Sequence, residues 1–445
     1  MKFILCLASL ALSVSAYADG APIDASAPVN ALAKSDEAVN QQADSRITQL
    51  ESLFATQKLE ELKLLLTTLR AEKQPHLAVL FISGMLASQE GDYKTAADEF
   101  RAMLTRDPSL IRPRLELALV LQKAGDRQSA KYHYEQALAG NIPDEVRRTI
   151  YKQLGDIRER LPSVRLSLDM VSDSNPKQAT NSRVITIGGL PYTLNDSSKA
   201  KTEYGLALSA DVHWPLPADP TWYAHAYTEI NEYAQRDLDS MYGQVTVGKR
   251  LYFGQNNLSA EVGGHVSSYQ DRKQYDGLQV RGTGFMRISP KLGVTSELSY
   301  KTYNYERLPY LDGNMKSVNV TGIYIPQATQ RLELGAGFSR YLAQEDAYTY
   351  NQPSLSARFM QEWQGGWLTG ARIQGLVAGY AAPDPFFGIT RHDKEVRVEL
   401  DVLNRKLKFL AFSPKLLLGY VQRDSNLELY SYQRWYGRVG LSTEF

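Results

Sequence analysis

His213, His225 and His265 fall among strand-like segments in the second half of the chain, beside Glu229, Glu261, Glu297 and Arg281. Imidazoles next to carboxylates could hold a metal or relay a proton. Each histidine stands on a separate segment without metal-ligand spacing, so the three read as polar residues that face water. The charged residues near them read as groups that line water or pair with one another. No Gly-rich phosphate loop ends in Lys-Ser or Lys-Thr, and neither His-Glu-x-x-His nor Gly-x-Ser-x-Gly occurs. The expectation is a protein with no cofactor, no metal and no enzymatic site. Cys6, the only cysteine, lies in an apolar run with no lipidation signal before it, which removes disulfides, thiolate metal sites and cysteine nucleophiles from the mature chain.

Other side chains suggest recognition. Tyr93, Arg114, Glu116 and Tyr132 sit in a helical segment and are candidates for contact with a protein client. That segment repeats with a period of 34 residues: Gly84, Gly91, Asp92, Ala96, Phe100, Met103 and Pro108 are followed by Ala118, Gly125, Asp126, Ala130, Tyr134 and Ala137. The pattern is tetratricopeptide-like, with a Gly-Asp turn between antiparallel helices, an alanine where they approach and an aromatic in the joint. One period upstream, Leu62, Leu66 and Leu69 mark a degenerate first unit, and the stretch from Pro143 to Leu161 supplies a closing helix. Stacked units of this kind leave a concave groove suited to a peptide or protein.

After Pro162 the apolar period changes from 3.6 to 2. Leu332, Leu334, Ala336 and Phe338 alternate with Arg331, Glu333, Gly335, Gly337 and Ser339, while Tyr204, Leu206, Leu208, Ala210, Val212 and Trp214 alternate with Glu203, Ser209, Asp211 and His213. The alternation continues to the C-terminus and predicts about fourteen strands, one face for lipid and one for water. Connections after even-numbered strands are short, such as Gly254-Gln255 and Gln364 to Gly366. Those after odd-numbered strands are mostly longer, above all Asp173 to Ala200, and also Tyr305 to Asn314 and Ala343 to Asn351. Short periplasmic turns and longer outer loops are the arrangement of a transmembrane barrel entered from the periplasm. Trp214 with Trp222, and Trp363 with Trp367, flank two of the short turns, where indoles would mark the membrane interface. A content of 27 tyrosines fits the aromatic girdles such barrels need.

The ends of the chain agree. Lys2, the apolar run from Phe3 to Val14 and Ser15-Ala16-Tyr17-Ala18 have the order of a secretory signal. Without Lys2 the 50 basic residues become 49, against 49 acidic ones, so no net field attracts nucleic acid. The expected organisation is a signal peptide over 1–18, a flexible leader over 19–46, a periplasmic helical domain over 47–161 and an outer-membrane β-barrel over 162–445. At the C-terminus Trp435, Val439, Leu441 and Phe445 alternate with Arg434, Arg438, Ser442 and Glu444. Arg438, Gly440 and Phe445 stand at the offsets of the signal read by the barrel-assembly machinery.

A helical-repeat domain joined directly to such a barrel resembles the surface lipoprotein assembly modulators, the outer-membrane translocons of type XI secretion in Gram-negative cells. The resemblance rests on that architecture, on Arg114-Leu115-Glu116-Leu117-Ala118 with Asp126, Ala130 and Tyr134, on Pro143, and on Asp173-Ser174-Asn175 after the first strand. It implies a route by which surface lipoproteins or secreted haem- and metal-scavenging proteins pass from periplasm to cell surface. Partners on that reading are the client, the barrel-assembly machinery, periplasmic chaperones and outer-membrane lipid. With no nucleotide site in the chain, direction would come from folding of the client outside. A repeat-plus-barrel polysaccharide exporter and a porin or surface receptor are the alternatives.

Overall fold

The computed structural model describes residues 41–156, 162–187, 190–195, 199–270, 272–407 and 412–442. The expected signal peptide, most of the expected leader and Phe445 lie outside the described residues. The chain divides into a helical unit and a strand unit.

Seven α-helices build the first unit among the described residues: α1 (Gln41–Ala55), α2 (Leu59–Arg70), α3 (Leu77–Gln89), α4 (Tyr93–Arg106), α5 (Ile111–Lys123), α6 (Arg127–Leu138) and α7 (Asp144–Asp156). Helix begins at Gln41, upstream of the expected start at Ile47. The 34-residue period has a visible cause. Gly91 and Gly125 turn the chain with φ of 82° and 91°, a region that costs other residues about 1 kcal/mol or more. Asp92 and Asp126 then cap the following helices, accepting from Thr95 N at 3.0 Å and Ser129 N at 3.1 Å. In the first unit Gln57 holds the same left-handed turn at φ 53°, and Lys58 gives no side-chain cap. That is the physical content of its degeneracy.

Ala96, Phe100, Met103, Ala130 and Ala137 are fully buried in one apolar cluster, and Leu62, Leu66 and Leu69 belong to a second one with Leu50 and Ile82. A polar thread ties the last helices: Tyr134 donates to Gln122 Oε1 at 3.1 Å, and Gln122 Nε2 donates to Gln153 Oε1 at 3.0 Å. Burial pushes the Tyr134 hydroxyl far above the ordinary tyrosine range. Glu99 on α4 pairs with Arg70 on α2 and accepts from Ser83 on α3. Burial raises its carboxyl above the usual range, and Arg70 and Ser83 partly offset that rise.

Sixteen strands follow among the described residues: β1 (Ser163–Asp173), β2 (Val184–Ile187), β3 (Leu190–Thr193), β4 (Glu203–Pro215), β5 (Trp222–Tyr233), β6 (Ser240–Phe253), β7 (Asn256–Tyr269), β8 (Arg272–Ser289), β9 (Leu292–Tyr305), β10 (Gly313–Tyr324), β11 (Gln330–Ala343), β12 (Tyr350–Glu362), β13 (Trp367–Pro383), β14 (Thr390–Asn404), β15 (Ser413–Ser425) and β16 (Tyr432–Ser442). β2 and β3 form a separate hairpin, and the other fourteen close an antiparallel barrel in which β1 pairs with both β4 and β16. The hairpin was not expected within the connection from Asp173 to Ala200. Its signal is the β-branched run Val184, Ile185, Ile187 before Gly188-Gly189, too short to stand out beside strands that cross a membrane.

Apolar side chains of every barrel strand point outward, with Met170, Leu206, Leu278, Leu298, Leu334 and Leu355 each more than half exposed. A barrel covered this way is of the outer-membrane type, since water would not tolerate so much exposed apolar surface. The connection 174–202 dominates the end where β1 finishes, here the far end. The other far-end loops are shorter than the sequence suggests, because the strands extend into them. Four close by one device, in which a polar side chain past the tip accepts the last strand N–H: Tyr233 N to Asp239 Oδ1 at 2.8 Å, Tyr305 N to Asp312 Oδ1 at 2.6 Å, Ala343 N to Thr349 Oγ1 at 3.0 Å and Ser425 N to Ser431 Oγ at 2.9 Å. A 3-10 turn lies inside each.

Candidate functional site

The pleat that sends apolar residues to lipid sends charges into the lumen, where they pair. Arg281 donates to Glu261 at 2.9 and 2.7 Å, Arg165 stands 3.4 Å from Asp211, Arg358 lies 3.2 Å from Asp401, and Arg423 lies 2.6 Å from Glu395. The histidines take ordinary partners: His225 Nε2 is 3.6 Å from Asp211, His265 Nε2 is 3.0 Å from Thr302 O, and the His213 ring packs edge-on to Tyr223. Side chains of Arg397 and Arg358 keep 45% and 36% of their surface open. The inner face therefore carries charges of both signs, each near a partner.

Strands β1 and β16 close the barrel, and Asp173-Ser174-Asn175 is the clasp. The fully buried Asp173 carboxylate accepts Arg434 Nε at 3.0 and 2.8 Å and a further bond from Arg434 Nη2. Ser174 N donates to Trp435 O at 2.8 Å, and its hydroxyl accepts Trp435 N at 2.8 Å. Asn175 Nδ2 donates to Gln433 O at 3.2 Å and to Ala179 O at 2.8 Å. The motif therefore carries the β1–β16 pairing beyond the end of β1 and anchors the long connection. Further along, Lys415 Nζ lies 3.5 Å from Asp169 and 2.8 Å from Ser167 Oγ. The sequence offered a clue to this seam: lumen-phased acids on the first strand, lumen-phased bases on the last two.

Two residues of the expected C-terminal signal belong to the same seam. Arg438 reaches Glu229 on β5 at 3.1 Å. A Cβ on Gly440 would run into the Asp169 carboxylate and the Leu168 carbonyl, so β16 can lie this close to β1 only with glycine there. Gly440→Val should cut the heat-modifiable fraction of the purified barrel several-fold while synthesis continues, since overpacking costs roughly 1–3 kcal/mol and has no room to relax against backbone. Unchanged heat modifiability would remove this steric role.

On the helical unit, two of the four expected contact residues are not open to a client. Arg114 is fully buried on α5, with Nη2 donating to Pro108 O at 2.5 Å and Nη1 3.5 Å from His133 Nδ1. Glu116 is also buried, 2.5 Å from Arg112. Each has a charged or polar partner inside the fold. Tyr93, at the start of α4, and Tyr132, on α6, are half-buried, the former packed on the main cluster and the latter edge-on to His133.

Family comparisons match both units. A model described as "Surface lipoprotein assembly modifier" covers residues 163–445, and one described as the N-terminal tetratricopeptide repeats of the same family covers residues 32–134. The chain belongs to the surface lipoprotein assembly modifier family. Relatives in that family include a "Surface lipoprotein assembly modifier" of Moraxella catarrhalis, 23% identical over 78% of this chain and 69% of its own. "Surface lipoprotein assembly modifier 2" of Haemophilus influenzae is 24% identical over 81% of this chain and 76% of its own. "Surface lipoprotein assembly modifier 1" of Neisseria meningitidis serogroup B is 22% identical over 82% and 75%. Among solved structures, a "Bacterial polysaccharide outer membrane secretin" aligns over 64% of this chain and 99% of its own at 9% identity and a TM-score of 0.36, too low to bear on function. In this family member the matched barrel segment includes the whole clasp, and the matched repeat segment spans the first clear repeat and the second as far as Tyr134.

Proposed function

We propose that the chain is an outer-membrane translocon that moves specific client proteins, surface lipoproteins or secreted haem- and metal-scavenging proteins, to the cell surface. The observation that carries this reading is the union, in one chain, of a helical repeat with a barrel whose inner face carries paired charges. On this reading the helical unit stands in the periplasm and captures the client, with Tyr93 and Tyr132 as contact residues, while Arg114 and Glu116 hold the repeat's shape from beneath. The barrel is the route. Tethering matters because a client held at the barrel has a far higher effective concentration there than one free in the periplasm. Periplasmic chaperones would deliver the unfolded barrel, and Arg438, Gly440 and Phe445 would present it to the assembly machinery.

The test is a deletion strain complemented with the full chain, the helical unit or the barrel alone. Surface proteomes should show one or a few proteins lost on deletion and retained inside the envelope. The full chain should restore them, the helical unit should not, and the barrel alone should restore them poorly. An unchanged surface proteome, with loss of a secreted polysaccharide instead, would overturn the reading in favour of an exporter.

A further inference from the structure

Between β6 and β13 the far end of the lumen is lined by one connected series of aromatic rings. Tyr242 meets His265 with centroids 6.4 Å apart, His265 meets Tyr275 at 5.9 Å and Tyr303 at 5.1 Å, and Tyr303 meets Tyr341 at 5.7 Å. Tyr341, Tyr350 and Tyr380 continue it at 5.6 and 5.4 Å. Strand register sets this level: Tyr275 pairs with Tyr305, and Tyr350 pairs with both Tyr341 and Tyr380. Beyond Tyr380 the rings are bridged by Arg391, which lies 4.7 Å from the centre of Tyr380 and 3.5 Å from that of Tyr430. From there round to β1 rings alternate with ion pairs: Arg391 meets Asp393 and Tyr430, Arg423 meets Glu395 and Tyr432, and Arg434 meets Asp173 and Tyr436. The mouth thus has an arc of rings packed on one another and an arc in which rings alternate with paired charges.

We infer that the aromatic arc is the surface over which an unfolded polypeptide passes through the barrel, a role that rests on the translocon reading above. Tyr303, Tyr350 and Tyr380 are half-buried, with one flank turned to the lumen. A polypeptide in extended form carries apolar side chains, amides and charges in any order, and this mouth offers a surface for each. Many weak, interchangeable contacts let a polymer enter and leave, where one tight site would stall it. Tyr303 meets His265, Tyr275 and Tyr341 at 71°, 69° and 78°, so the rings brace one another at this level.

The experiment uses the full chain in detergent micelles with a photoreactive benzoylphenylalanine in place of Tyr350. The probe is a fluorescein-labelled peptide of Gly, Ser, Lys and Glu with Leu at every fourth position. A length of roughly 25 residues lets it exceed the ~30 Å membrane core when extended. Total binding is read by anisotropy and position by cross-link yield, with the same photoreactive residue in place of the lipid-facing Leu298 as background. The expected result is cross-linking at position 350 well above background. It should fall about tenfold when Tyr303→Ser, Tyr341→Ser and Tyr380→Ser are combined, and persist in the matching Phe triple, because apolar contact needs the ring and not the hydroxyl. Retained heat modifiability shows which variants are folded, and Tyr303→Ser alone, expected to lower the yield by a smaller factor, replaces the triple if that fails to fold. Binding without cross-linking above background at position 350, or a yield that the Ser variants leave unchanged, overturns the arc while sparing the translocon reading. No binding of the peptide anywhere on the full chain overturns both.

Discussion

Arg434→Ala is expected to open the barrel's closing seam: the purified protein should lose most of its heat-modifiable form and become sensitive to added protease. The change leaves the fully buried Asp173 carboxylate without its guanidinium, and removing one partner of such a pair costs roughly 3–5 kcal/mol. That is a large share of the roughly 5–15 kcal/mol by which folded domains are typically stable. Location adds to the effect. Asp173 and Arg434 stand 261 positions apart in sequence, so their contact carries the loop-closure entropy of nearly the whole barrel and is made when closure is made. The double variant Asp173→Ala with Arg434→Ala strands no charge and is expected to be no worse than Arg434→Ala alone. Clear additivity of the two losses would show that the pair does not act as a unit.

The seam also shows where sequence reading succeeds and where it stops. Alternation located the barrel strands within a few residues because lipid and water impose opposite demands on the two faces of each strand, and every residue of a crossing strand reports which face it occupies. The 34-residue repeat was legible for a similar reason, since Gly91 and Gly125 serve one backbone geometry and Asp92 and Asp126 one cap. Pairing was not legible. Nothing local to Asp173 says that its counter-ion is Arg434, and nothing local to Arg114 says that Pro108 O and His133 will surround it. The loop asymmetry was overestimated because polar residues such as Asn314 and Asn351 look like loop yet lie on strands. The aromatic arc fell between the two cases. Its tyrosines were countable, but their common level depends on register across eight strands from β6 to β13.

The second large effect is expected in the helical unit. Phe100 is fully buried, its ring lies edge-on to Phe81 with centroids 5.9 Å apart, and it fills the joint between α3 and α4 at the Gly84 position. Phe100→Ala should cost roughly 3–5 kcal/mol, through lost burial and the cavity left behind. A stacked repeat holds together through nearest-neighbour contacts, so a break in the middle uncouples the units on either side. The helical unit should then be cut by protease at concentrations that leave the wild type intact, while the barrel keeps its heat-modifiable form. Tyr134 occupies the equivalent place one repeat on and provides the graded control. Tyr134→Phe keeps the ring and gives up the bond to Gln122, a loss of about 1 kcal/mol, and should leave protease resistance almost unchanged. If client capture belongs to the repeat, Phe100→Ala should remove the client from the cell surface as thoroughly as deletion does, with the barrel still assembled in the membrane. A client that reaches the surface at the wild-type level through a barrel with a collapsed repeat would separate export from the helical unit and place selection in the barrel itself.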